Sequence, residues 1–269
     1  MWNGACDTLI ISDVHLGSEV SRAGDALDLL KHSSFRRLIL LGDIFCDLNF
    51  RRLKKQHWQF LSYIRKLSNP KRGVEVVWVE GNHDQGLSTL MSHLVGVPVY
   101  QRYAWSYEGL RHVAVHGHQF DSFVVNNILL NQFGTFFYLQ IQKLDHKSKT
   151  FARYLDRLNT RWLRLSDKVA RGALGLARQL KADRVFCGHT HTAQQLQKDG
   201  ISYYNTGSWT ASPCTYITID EEGVHLHEHQ SRTDDRHSGE EREDLSSTLA
   251  GVVDAAGLPA PADYASVYC

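Results

Sequence analysis

Five short stretches of the chain end in residues able to hold a metal ion: Asp13-x-His15, Asp43, Asn82-His83-Asp84, His116 and His189-x-His191. The donors are carboxylate or amide oxygens and imidazole nitrogens, a set that suits manganese, iron, zinc and related divalent ions, and no thiolate is among them. Residues two apart on an extended segment share a face, so Asp13 and His15 can reach one ion together, as can His189 and His191. The seven donors Asp13, His15, Asp43, Asn82, His116, His189 and His191 are too many for one ion. They suit two ions held roughly 3.5–4 Å apart, close enough for one carboxylate to serve both. A single Gly-Asp reads as a solvated turn, and a single Asp-x-His as a turn beside a core histidine. Five such ends, each following an apolar run, argue for a common site.

The elements that must position these residues are legible as apolar runs bounded by glycine. Thr8 to Ser12 reads as a buried strand delivering Asp13, and Leu38 to Leu41 as a second that stops at Gly42 and delivers Asp43. Val74 to Val79, His112 to Val115 and Arg184 to Cys187 read as three more, running into Asn82, His116 and His189. Helical patterns cover Asp25 to His32 and Arg51 to Leu67. Beyond the last histidines, Ile201 to Tyr204, Thr215 to Ile219 and Val224 to His227 read as short strands, with turns at Asp199-Gly200 and Glu222-Gly223. Strand and helix alternate first and strands pair locally later. That order implies an α/β (α+β) fold with a mixed sheet or two stacked sheets flanked by helices. In such sheets ligands gather beyond the carboxyl ends of the strands, where these donors stand.

The whole chain, 269 residues with a formal charge of +1, conceals two opposed blocks. Between His116 and His189 lie 72 residues, far more than the connection requires. Within them, residues 122–182 carry eleven Lys and Arg against three Asp. The first part, 122–142, has no charged side chain and is rich in Phe, Leu, Ile and Val. It approaches the ~20 residues of a membrane span. Its Asn and Gln residues, and its position between two donors that must meet, exclude one. After it, Phe151, Leu155, Leu158, Trp162, Leu165, Val169, Ala173 and Leu176 form the apolar stripe of a long helix, with a basic stripe from Arg153 to Arg171 one position earlier. A basic face beside an apolar one suits a helix resting on anionic lipid. The long aliphatic run argues against nucleic acid as the partner. Residues 231–269 carry eight acidic residues against three Arg and read as a disordered tail. The five cysteines are odd in number and scattered without Cys-x-x-Cys spacing, so neither a disulfide framework nor a thiolate zinc site is suggested, and a reducing, cytoplasmic setting fits best.

Asp13-x-His15, Gly42-Asp43, Gly81-Asn82-His83-Asp84, His116 and Gly188-His189-x-His191 together resemble the motif set of the calcineurin-like metallophosphoesterases, from about residue 8 to 208. The resemblance implies a four-layer αββα sandwich over residues 1–230, with a helical cap inserted at about 122–182. It implies two divalent ions, with Asp13, His15 and His191 on one, Asn82, His116 and His189 on the other, and Asp43 between them. Phosphoester or diphosphate hydrolysis follows, with His83 steadying the phosphoryl group or protonating the leaving group and Asp84 orienting the His83 ring. With every ligand present, a purely structural role is disfavoured. The cap and Asn205-Thr206-Gly207-Ser208-Trp209 resemble the UDP-2,3-diacylglucosamine diphosphatases. That branch carries Arg where His83 stands, and His-Gly-Asp where this chain has His116-Gly117-His118-Gln119-Phe120-Asp121. This second resemblance implies a manganese enzyme acting on a lipid-linked or nucleotide phosphate at the inner membrane surface, with iron or zinc as alternative metals.

Overall fold

Strands that are apolar on both faces need cover on both sides. The computed structural model, which describes residues 5–47, 49–84, 96–121 and 150–229 with side chains from residue 165 onward in the last segment, supplies that cover in four layers. One sheet runs β11-β10-β1-β2-β3-β4, where β1 is Ala5–Ile11, β2 Ser34–Leu41, β3 Glu75–Val79, β4 Val99–Tyr100, β10 Cys214–Asp220 and β11 Gly223–His229. The other runs β5-β6-β7-β9-β8, with β5 Tyr103–Tyr107, β6 Leu110–Ala114, β7 Arg184–Cys187, β8 Gln194–Lys198 and β9 Ile201–Asn205. Strands β1 to β4 are parallel and so are β6, β7 and β9, while the remaining strands pair antiparallel at the flanks.

Register and side-chain alternation build the layers. Ile217, Ile10, Ile39 and Val77 lie in one row across the first sheet, and Ala114, Phe186 and Tyr204 in one row across the second. These two rows meet in a shared core between the sheets. One residue away, Leu9, Leu38 and Val76 point to the opposite face. There they pack under α1 (Ala23–His32) and α2 (Lys55–Leu67) through Ala26, Leu30, Phe60 and Ile64. On the far side of the second sheet, Val113, Val185 and Tyr203 pack against Val169, Ala173 and Ala177 of α3 (Thr150–Gln179). Leu165 and Leu176 of the expected apolar stripe pack there half-buried, and Lys168 and Arg171 of the basic stripe face solvent.

Residues Met1–His229 form one compact unit. The expected tail at 231–269 and the uncharged run at 122–142 lie outside the described residues. Among those described, no helix is long and apolar enough to cross a membrane. Three strands escape the sequence patterns. β4 is two residues long, β8 is a polar edge strand of Gln194-Gln195-Leu196-Gln197-Lys198, and β5 is the outer strand of a hairpin turning at Glu108-Gly109.

A contact in the outer layer is unusually close. Phe120, in a short 3-10 turn at His118–Phe120, lies so near the helix backbone that a Cβ on Gly172 of α3 would sit 2.5 Å from its ring. Gly to Ala inside an exposed helix gains up to about 1 kcal/mol. Here the collision is with ring atoms and the Phe120 Cβ, not with a mobile side-chain tip, so overpacking wins. We expect Gly172→Ala to lower the melting temperature in calorimetry; a raised one would show that Phe120 moves aside at no cost.

Candidate metal centre

The site is assembled where hydrogen-bond ladders outlast their strands. Past β1 and β2, the amide of Asp13 donates to Gly42 O (3.0 Å), that of His15 to Asp43 O (3.0 Å) and that of Leu16 to Ile44 O (2.7 Å). In the second sheet the amide of Val115 donates to Phe186 O and that of Gly188 to His116 O, both at 3.0 Å. The amide of Trp209, beyond β9, donates to Asp13 O and ties the two sheets' ends together. Residues distant in the chain are therefore carried on paired backbones, as the carboxyl ends of parallel strands allow.

Their backbones are unusual. Asp13, His15, Asp43, His189 and His191 all adopt left-handed φ, between 50° and 68°. Each costs on the order of 1–3 kcal/mol and persists only where its surroundings hold it. The other described non-glycine residues with positive φ, Glu108, Lys181 and Asp199, lie in turns. Close approach explains the glycines in the motifs. A Cβ on Gly42 would overlap the His116 ring, and one on Gly81 would overlap the backbone and carboxylate of Asp43.

Three donor groups result, each with ligand atoms within 4.8 Å of one another: Asp13, His15 and His191; His15, Asp43 and His83; Asp43, His116 and His189. In the first, Nε2 of His191 lies 3.2 Å from Asp13 Oδ1 and 3.1 Å from Nε2 of His15, which is itself 3.8 Å from that oxygen. In the last, Nε2 of His116 lies 3.2 Å from Asp43 Oδ2. Metal bonds of roughly 2.0–2.1 Å put neighbouring ligands about 3.0–3.4 Å apart, so the 3.1 and 3.2 Å spacings match the edges of a coordination polyhedron and the 3.8 Å one is wider. Asp13, Asp43 and His116 are fully or almost fully buried, whereas the His191 and His83 side chains are 34% and 22% exposed, so the cluster opens to solvent on their side.

The donors fit a divalent ion by a second test. Among the described residues, Asp13 Oδ1, Asn82 Oδ1 and His116 Nε2 are buried atoms without a well-aligned hydrogen bond, the first and last having 3.2 Å ion-pair contacts with His191 and Asp43. Buried polar atoms are ordinarily satisfied, and these three belong to residues singled out as ligands. His116 donates Nδ1–H to Leu41 O (2.9 Å), which leaves Nε2 as its ligand nitrogen. The other Asp13 oxygen, Oδ2, accepts from Ser12 Oγ and from the His189 amide (3.1 Å). Asn205 donates to Gly188 O (2.7 Å) and to Thr190 Oγ1 (3.1 Å), bracing the loop that bears His189 and His191.

His83 and Asp84 part company. The His83 amide donates to Asp43 Oδ1 (2.8 Å), and its ring donates Nδ1–H to Cys46 O (2.7 Å), turning Nε2 toward Asp43 Oδ2 at 4.0 Å. The ring is thus oriented by a backbone carbonyl and not, as the sequence leads one to expect, by Asp84. The Asp84 carboxylate accepts from the amides of Ile44 (3.1 Å) and Phe45 (2.9 Å) and holds the turn that follows Asp43. Ser12, Cys46 and Asp121, whose carboxylate lies 3.4 Å from His189 Nε2, are supporting residues to which the sequence pattern gave no role, and Asn205 opens the Asn205–Trp209 stretch noted above.

Without a metal ion, protons take its place. Burial opposes charge on Asp43, yet His116 and then His83 hold its carboxyl well below the usual range. Burial also works against a charged His116, but the Asp43 carboxylate raises it to about 9. Burial, reinforced by His191, pushes His15 down to about 3, so that imidazole stands neutral and ready as a ligand. An entering ion must displace the His116 proton below about pH 9. We expect metal affinity to rise with pH between 6 and 8, by about tenfold per unit for one proton released. Calorimetric titrations in buffers of different ionisation enthalpy measure that release, and a pH-independent affinity would contradict it.

A model of the calcineurin-like phosphoesterase superfamily domain matches residues 7–223. A search of curated proteins returned no match. Among solved structures, the chain is similar to a variant of Vps29 from Entamoeba histolytica, with 15% identity over 82% of this chain and 97% of that one and a TM-score of 0.42. It is similar to an archaeal phosphodiesterase with 13% identity over 82% and 98% and a TM-score of 0.44. A predicted phosphoesterase from Streptococcus pneumoniae shows 16% identity over 83% and 97%, with a TM-score of 0.36. The family match spans every donor described above, and on it the chain belongs to the calcineurin-like phosphoesterase superfamily, as a hydrolase of phosphoester bonds.

Proposed function

We propose that this chain is a two-ion hydrolase of phosphoester or diphosphate bonds in an amphiphilic substrate. We further propose a lipid-linked diphosphate such as UDP-2,3-diacylglucosamine, met at the inner membrane surface. The observation that carries the two-ion part is the position of Asp43, within ligand distance of His15 on one side and of His116 and His189 on the other. In this reading Asp13, His15 and His191 hold one ion, Asn82, His116 and His189 hold the other, and Asp43 serves both. Manganese is the proposed metal, with iron or zinc as alternatives that the same donors accept. The ions supply Lewis acidity at the phosphoryl oxygens and activate the attacking water.

The chain's own residues do the rest. Asp13 and Asp43 bring the negative charge that gathers the ions in a buried pocket, and the paired backbones keep the donors in place. His83, with Nδ1 committed to Cys46 O, presents Nε2 toward the open side of the site. There it meets a phosphoryl oxygen or the departing group and passes a proton to it. Asp84 holds the Asp43 turn rigid through the amides of Ile44 and Phe45.

The substrate part rests on the sequence between His116 and His189. An uncharged aliphatic and aromatic run at 122–142 suits acyl chains, and the basic stripe that follows suits phosphates or anionic lipid. We therefore take residues 1–230 as the catalytic domain, 122–182 as its cap and 231–269 as an accessory tail. A second reading, hydrolysis of nucleotides or nucleic acid, is favoured by the solvent-facing Lys168 and Arg171 on α3, which could grip phosphates alone.

With Mn(II) supplied, purified protein is expected to cleave UDP-diacylglucosamine or a simpler lipid phosphate faster than water-soluble diesters. Good turnover of oligonucleotides with a steep salt dependence, and none of lipids, would replace the first reading with the second. Asp43→Ala should lose both ions and all activity, and His83→Ala should keep both ions while kcat falls by about 10²–10⁴. One ion retained in Asp43→Ala would show that this carboxylate is not shared.

A further inference from the structure

Resting on the two-ion reading, we propose that Asp121 is a positioning residue of the metal centre. Its carboxylate accepts a hydrogen bond from Nε2 of His189 and commits Nδ1 of that ring to the ion shared with His116 and Asp43. Asp121 Oδ2 and His189 Nε2 are 3.4 Å apart, and the two side chains are only 9% and 8% exposed. Among the described residues, Asp121 is in none of the donor groups whose atoms converge within 4.8 Å, so it stands behind His189 and not beside the ion. A nitrogen that donates its N–H to a carboxylate is not the one that binds a metal. With Nε2 occupied, the ligand nitrogen of His189 is Nδ1.

The placement of Asp121 is built into the fold. Gly117, at φ +112, turns the chain away from His116, and the amides of Phe120 and Asp121 close the turn on Gly117 O and His118 O, each at 3.0 Å. Phe120 is then wedged against Gly172 of α3, and Val169 of the same helix lies 3.0 Å from where a Gly117 Cβ would be. The carboxylate is thus delivered by a clamped turn to a ring that comes from the other side of the segment 122–182. One interaction joins the two ligands that flank the insertion, His116 five residues before Asp121 and His189 itself. Carboxylate partners of ligand histidines fix the tautomer and raise ligand basicity, and their loss typically weakens metal binding 10- to 100-fold.

The test compares the full-length wild type with Asp121→Asn and Asp121→Ala, each stripped with chelator and titrated with Mn(II), reading ions per chain and the affinity of each. Asp121→Ala is expected to weaken one of two sites about 10- to 100-fold and leave the other at its wild-type affinity. Asp121→Asn, whose amide oxygen still accepts from Nε2 and which keeps the side chain's shape, should lose distinctly less. Wild-type affinity at both sites of Asp121→Ala, equal weakening of both sites, or equal damage by Asn and Ala would each overturn the assignment to Asp121 while leaving the two-ion reading intact. A wild-type chain that takes up no ion would overturn both.

Discussion

Two carboxylates, Asp13 and Asp43, are buried at 0% and 2% exposure, and the rest of the structure is arranged to make that burial tolerable. A charge withdrawn from water with no partner costs several kcal/mol or more. Here each is met by imidazoles, His191 and His15 at Asp13, His116 and His83 at Asp43, and by backbone amides of His189 and His83. These partners come from the ends of strands in both sheets, so the electrostatic need of two side chains requires the two sheets to be stacked with their carboxyl ends together.

The same need accounts for the strained backbone. Five left-handed residues in one cluster would be a heavy destabilisation if each stood alone. The cross-loop hydrogen bonds of Asp13 with Gly42 and of His15 with Asp43 hold the unusual conformations in place, and the inter-sheet core supplies the stability against which they are set. The glycines beside the donors follow from this crowding. Gly42 and Gly81 are required by the space that the His116 ring and Asp43 occupy.

A division of labour runs outward from the carboxylates. The donors face one another, Asp84, Asn205 and Ser12 hold the loops that bear them, and α3 clamps the turn after His116 through Phe120. Among the described residues, the segment between His116 and His189 is tied to the reaction centre by that turn and by the packing of α3 on the second sheet.

Much of this was legible in the linear chain. Buried strands are apolar runs, so β1, β2, β3, β6, β7, β9 and β10 could be read directly, β11 showed as an alternating edge strand, and glycine preceded the donors at Asp43, Asn82 and His189. Donor chemistry is a property of residue type, so the ligand candidates could also be named. What escaped was whatever depends on pairing across distance. The polar edge strand β8 has no inward-facing periodicity, and its identity as a strand comes from β9 beside it. Asp84 stands next to His83 in sequence yet serves Ile44 and Phe45, because consecutive side chains diverge and the nearest unsatisfied amides lay 39 and 40 residues away. Asp121 meets His189 across 68 residues, and Ser12 meets Thr206 across 194. Composition and local pattern determined the chemistry and the layers of this protein, because they act within a few residues. Tertiary structure alone decided which donor faces which and what holds each one still, because those contacts exist only once the two sheets have stacked.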